Sequence, residues 1–148
     1  MYKHILIAID GSEVADRALA HGLELAKQLK VQVTVVTVTE LWSALNMASK
    51  AREGIPDPTH QFEQLASASA KVILDAAAQK AKMASVAGEF VHVPDQHPAE
   101  GIIALAEKRG CDLIVMGSHG RRTIGRLLLG SKVNEVLKHS KVPTLVVR

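Results

Sequence analysis

Two rhythms of apolar residues alternate along this chain. Tyr2 to Ile9, YKHILIAI, is a nearly continuous apolar run that stops at Asp10-Gly11-Ser12, which is the length and boundary of a buried strand. From Glu13 to Leu29 the rhythm changes, and Val14, Ala15, Ala18, Leu19, Gly22, Leu25, Ala26 and Leu29 recur close to the helical period. Ser12 or Asp10 can cap that helix. Val31 to Thr39 is rich in Val and Thr, residues that suit a pleated sheet. These three segments make a βαβ unit with a right-handed crossover.

Residues 40–60 fit neither rhythm well. Trp42, Leu45 and Met47 hint at a helical turn, while Gly54, Pro56 and Pro58 predict a long connection without regular structure. An Ala-rich helix is predicted over Gln61 to Val86, with Phe62, Leu65, Ser69, Val72, Ile73, Ala76 and Met83 as its buried stripe. Glu89 to Val93 is a short strand. Pro98 begins a helix that Gly110 ends. Leu113 to Met116 is a buried strand cut off by Gly117, and Val133, Val136 and Leu137 mark one side of a last helix ending near His139. Pro143 lacks an N–H, so the final strand, Val142 to Val147, belongs at a sheet edge. Five strands alternating with four helices predict an α/β fold, a single domain with a five-stranded parallel sheet and helices on both faces. Ligands of such sheets sit beyond the carboxyl ends of the strands, where strand order reverses. Asp10, Val38, Thr39 and Gly117 all stand at such ends.

The chemistry concentrates after Gly117. Gly117 and Gly120 are separated by two residues, Gly120 and Gly130 by nine, and Ser131 follows directly at the predicted helix start. Glycines let the backbone bend and approach a ligand, and a helix N-terminus presents N–H groups without intrahelical partners. Strand, glycine loop and helix start together describe a cradle for phosphate.

Charge supports that reading. The net charge is +3, yet residues 117–148 carry seven Lys/Arg against one Glu, and the remainder carries eleven against fourteen. The basic excess thus begins at the glycine loop, where a polyphosphate needs it. Nucleic acid is disfavoured as the partner, because two Phe, one Tyr and one Trp offer few platforms for stacking bases. With 148 residues and 47% apolar content the chain can close its own core. Its single cysteine permits no internal disulfide, its apolar runs are too short to cross a bilayer, and no signal pattern precedes the first strand. A cytoplasmic protein without a membrane partner is expected. Cys111 lacks the neighbours of a catalytic thiol. His92, Asp95 and His97 sit in a prolyl loop and do not make a convincing metal set.

Two nucleotide motifs fail. The dinucleotide fingerprint needs three glycines after the first strand, where only Gly11 stands. The P-loop needs Lys before Ser/Thr, and Ser131-Lys132 has the reverse order. The spacing of Gly117, Gly120, Gly130 and Ser131 instead resembles the ATP-binding pattern of the universal stress protein family. The likeness extends to Asp10 and Ser12 after the first strand, to the CDLIVMGSHG block and to the closing VPTLVV. It covers nearly the whole chain except residues 40–60.

The resemblance implies a Rossmann-like fold of the adenine nucleotide alpha hydrolase-like type. It also implies bound ATP, with ADP or AMP as alternatives; as a carboxylate, Asp10 could also hold a magnesium ion through water. A stress-response or signalling role follows, with at most slow hydrolysis, as does a homodimer through the edge strand Val142 to Val147. Position by position, Ala8 and Asp10 would lie beside the nucleoside, Val38 would meet adenine through its main chain, and Met116 would pack on the base. Gly117, His119, Gly120, Arg121, Arg122, Gly130, Ser131, Lys132 and Val133 would surround ribose and phosphates. Lys132 departs from the family, which usually has a small or apolar residue there, and Gln96 replaces a glycine common ahead of the proline. Two alternatives remain. One is an interaction module of the same fold without nucleotide. The other is an ATP-dependent enzyme of the related hydrolase-like group, which the Asp10-Gly11-Ser12-Glu13 turn does not match.

Overall fold

The computed structural model describes residues 1–120 and 128–148. Its strands are β1 (His4–Ala8), β2 (Gln32–Val38), β3 (Glu89–Val93), β4 (Leu113–Gly117) and β5 (Thr144–Val147). The helices are α1 (Glu13–Leu29), α2 (Ala44–Arg52), α3 (Pro58–Met83), α4 (Pro98–Arg109) and α5 (Ser131–His139). All strand pairs are parallel, in the order β3-β2-β1-β4-β5. Strand order reverses between β1 and β4, where the chain leaves one half of the sheet for the other.

Alternation along the strands divides the core into two layers. Ile5, Ile7, Ile9, Val33, Val35, Leu113 and Val115 pack with Ala15, Ala18, Leu19 and Leu23 of α1 and Leu74, Ala77 and Ala81 of α3. Leu6, Ala8, Val36, Ile114 and Met116 face Ala99, Ile102, Leu105 and Ala106 of α4 and Val133 and Val136 of α5. Gly22 lets α1 sit close on the sheet, because a Cβ there would stand 2.5 Å from Cδ1 of the fully buried Ile7.

Five expectations are corrected. Residues 40–60 contain α2, capped by Ser43 and anchored through Met47, so the described chain has five helices rather than four. Pro58 does not break a helix but opens α3 at its first turn, where a missing N–H costs nothing. The buried face of α3 is Ala70, Leu74, Ala77 and Ala81, while Leu65, Val72 and Met83 are exposed. Small residues carry that face because the long helix lies close against α1 and β2. Leu29 and Leu137 are likewise exposed rather than buried, and Leu23 takes a core position. The last strand is shorter than expected, Thr144–Val147, and lies at the sheet edge. Among the described residues no helix is long and apolar enough to cross a membrane.

Candidate functional site

A crevice of about 530 Å³ opens at the carboxyl ends of β1, β2 and β4. It lies at the reversal of strand order, where the topology predicts a ligand. The end of β1 contributes Ala8, Ile9 and Asp10, and that of β2 contributes Val36 to Glu40. Met116, Gly117, His119 and Gly120 come from β4 and the loop after it, and Gly130, Ser131, Lys132 and Val133 from the start of α5. Every sequence-designated residue within the described chain therefore lines one cavity. Arg121 and Arg122 lie outside the described residues.

Sequence reasoning missed two walls. α4 supplies Pro98 and Ile102, and α3 supplies Phe62, Ser69, Ala70 and Ile73. Apart from Ser69 these are ordinary apolar helix positions, and only the sheet order brings them to the crevice. The result is an amphipathic site. Ala8, Val38, Ile102 and Met116 suit a flat apolar ring, and the glycine loop and α5 suit an anion.

The local chain explains how each part is held. Ser12, not Asp10, caps α1, accepting the Ala15 N–H at 3.2 Å. Asp10 instead braces the turn, its Oδ1 accepting the Ser12 N–H at 2.9 Å. A Cβ on Gly120 would stand 2.9 Å from Oδ2 of Asp10, so the loop after β4 rests directly on that carboxylate. Gly117 is equally confined, since its Cβ would meet Cγ1 of Val14 at 2.7 Å and the Val14 backbone at 3.1 Å. The loop is fixed at both ends. Ser118 donates its N–H to Val147 at 2.7 Å and accepts the Gly130 N–H at 2.8 Å.

Because of that last bond, not every amide of the cradle is open to a ligand. Gly130 gives its N–H to Ser118, so its contribution is shape. The donors left at the crevice wall are those of the first turn of α5, which lines it and opens with no side-chain cap. Ser131, Lys132 and Val133 hold the three helical positions whose N–H groups no intrahelical carbonyl can reach.

Lys132 Nζ lies 3.8 Å from Glu40 Oε1, with both side chains about half exposed. His119 Nδ1 and Ser118 Oγ are 3.1 Å apart. On the far side of β2, His92 Nε2 pairs with Thr39 Oγ1 at 2.8 Å. Burial lowers the His92 pKa, against the pull of Asp95 toward the charged form. Gln96 donates its N–H to the Thr39 carbonyl at 3.3 Å, steadying the segment ahead of α4. No group of three or more His, Cys, Asp or Glu suited to a metal occurs among the described residues.

Comparison with known proteins decides the family. The model of the universal stress protein family matches residues 1–148 without interruption. This chain belongs to that family. It is 30% identical to the universal stress protein YxiE of Bacillus subtilis, covering 100% of both chains. The solved structure of MJ0577 from Methanocaldococcus jannaschii superposes with a TM-score of 0.78 at 30% identity, over 99% of this chain and 96% of that one. A universal stress protein from Archaeoglobus fulgidus, solved in complex with dAMP, has a TM-score of 0.71 at 21% identity, covering 99% and 98%. At that identity the likeness establishes the shared fold. Family membership extends across residues 40–60, the stretch the motif resemblance left out.

Proposed function

We propose that the crevice binds an adenine nucleotide, ATP in the first instance, and that the chain is a small cytoplasmic regulatory protein of the stress response. The observation that carries this reading is the meeting of two unlike surfaces in one cavity. An apolar slot from β1, β2, β4 and α4 adjoins the uncapped start of α5 and the glycine loop. A purine carrying phosphates has the same division. In this reading Val38 offers backbone groups to the adenine edge, Met116 and Ala8 pack on the ring, and Asp10 accepts from a ribose hydroxyl. Ser131, Lys132 and Val133 then present amides to phosphate oxygens, with the Ser131 hydroxyl beside them. The dAMP complex of the Archaeoglobus relative supports the ligand class.

Magnitudes require these parts to act together. A helix start offers a phosphate about 0.3–1 kcal/mol, or about 2 when partly buried, whereas a micromolar complex needs about 8 kcal/mol. Burial of the base must therefore supply much of the affinity. Magnesium would arrive with the phosphates rather than reside in a protein cage, and in this reading Asp10, a carboxylate of the crevice wall, meets its water shell. In this reading the protein stores or senses nucleotide and turns it over slowly at most. A thermal melt tests the reading. Mg-ATP at a hundred times its Kd stabilises the fold by about 2.7 kcal/mol and raises the midpoint by several degrees, whereas Mg-GTP raises it less. A midpoint unmoved by millimolar Mg-ATP, Mg-ADP and AMP would sink it.

A further inference from the structure

We propose that Glu40 and Lys132 form a charge latch across the mouth of the crevice, through which the site distinguishes nucleotides by their phosphate charge. The inference rests on the nucleotide reading and adds to it a named competitor for the phosphates. Lys132 is the second residue of α5, in the uncapped turn that lines the cavity. Glu40 lies two residues beyond the end of β2. Both line the crevice, and their charged atoms are 3.8 Å apart. The pair therefore joins the wall that follows β2 to the wall that follows β4, two strands that β1 keeps apart in the sheet.

Its geometry is that of a contact made to be exchanged. At 3.8 Å the two charges attract but make no hydrogen bond. With side chains 41% and 47% exposed, water and salt screen the attraction, so holding the pair closed contributes little. Lys132 carries its charge on a flexible stem and can turn to a new anion while α5 stays in place. A phosphate tail seated at the α5 start offers several charged oxygens where Glu40 offers one carboxylate. Lys132 then changes partner, from the Glu40 carboxylate to the phosphates. Adenosine, which has no phosphate, exchanges nothing. The latch thus makes the affinity ladder from adenosine through AMP to ATP depend on two residues that need not touch the base.

Binding of adenosine, AMP and Mg-ATP to the wild type, Glu40→Gln, Lys132→Met and the double variant tests this. Glu40→Gln is expected to raise the ATP-to-adenosine affinity ratio about threefold, the scale of an exposed pair. Lys132→Met is expected to lower it by at least as much. The effect of Glu40→Gln falls by half or more in the Lys132→Met background, because there is no lysine left to release. Glu40→Ala gives the same comparison should the amide variant fail to fold. Equal effects of Glu40→Gln in both backgrounds, or a ratio that does not move, would overturn the latch while leaving the nucleotide site intact. If the wild type binds none of the three probes, the nucleotide reading itself fails and the latch goes with it.

Discussion

Ser118 accepts the N–H of Gly130 at 2.8 Å and donates its own to Val147 at 2.7 Å. One buried serine thereby ties the end of β4 to the edge strand and to the first turn of α5. The shape of the crevice depends on how near the two backbones approach.

Gly130 is required there for space and not for conformation. Its φ of −60° and ψ of 154° suit any residue, but a Cβ would stand 3.1 Å from the Cα of His119. A backbone atom cannot rotate aside. Gly130→Ala is expected to push the loop from α5 and weaken ATP about tenfold, and Gly130→Val to abolish binding. The fold survives with an overpacking cost of about 1–3 kcal/mol. Titration calorimetry with thermal melts checks both halves, and full affinity in Gly130→Val would show that this contact does not shape the site.

The Gly120 contact differs because its neighbour is the end of a side chain. A Cβ at residue 120 would meet Oδ2 of Asp10 at 2.9 Å, while Oδ1 is held by the Ser12 N–H. Gly120→Ala must therefore break the Asp10 brace or displace the loop. The stability lost on Gly120→Ala is expected to shrink when Asp10 is already Ala, since the clash disappears with the carboxylate. A double-mutant cycle measured by urea unfolding gives the coupling. Strict additivity would mean that the loop yields without touching Asp10.

Periodicity revealed the elements that bury long side chains and missed those that bury small ones. β1 and β4 were legible because apolar runs end at Asp10 and Gly117, and β2 because a run of Val and Thr ends at Thr39. The α3 face was misread because its contacts are made by Ala70, Ala77 and Ala81, which carry almost no hydropathy signal. Leu65, Val72 and Met83 carry a strong one and point to solvent. The same limit applies to the site. Its glycines and Asp10 announce themselves by type and spacing, whereas Phe62, Ile73 and Ile102 reach the crevice only through tertiary packing. The Ser118–Gly130 bond was illegible for a different reason. Nothing in a glycine spacing says whether an amide is directed at a ligand or at its own chain.

Cys111 gives a test by pH. Burial first, and then the neighbouring Asp112, push its thiol up to about 11 from an ordinary value of 9.0. Between those values the unfolded chain loses the proton and the folded chain keeps it, so the unfolded state binds fewer protons and stability falls as pH rises. Below pH 9 the contribution is whole, and it is lost through pH 11. Cys111→Ala is expected to flatten that part of the stability profile, measured by urea unfolding from pH 8 to pH 11. A thiol reagent at pH 8 should label native protein far more slowly than unfolded protein. Fast labelling of the native state would contradict the buried, protonated thiol.

The edge strand gives the last test, and its geometry selects the residue. β4 donates to β5 at Pro143, through the Ile114 N–H at 2.9 Å, and Ser118 donates to Val147 at 2.7 Å. Odd-numbered positions of β5 therefore turn their backbone groups inward. Successive residues of a strand alternate, so Thr144 and Val146 direct theirs away from the sheet. An edge of this kind, with Leu145 40% exposed beside it, invites a second copy to pair antiparallel across a two-fold axis. Dimerisation through this strand is the expected state at micromolar concentration. Val146→Pro removes one outward N–H and no bond to β4, a position where an edge strand tolerates proline. It should yield monomers in sedimentation velocity while nucleotide affinity persists, because no residue of β5 lines the crevice. A wild-type monomer at that concentration, or a Val146→Pro dimer as tight as the wild type, would place any self-association on another surface.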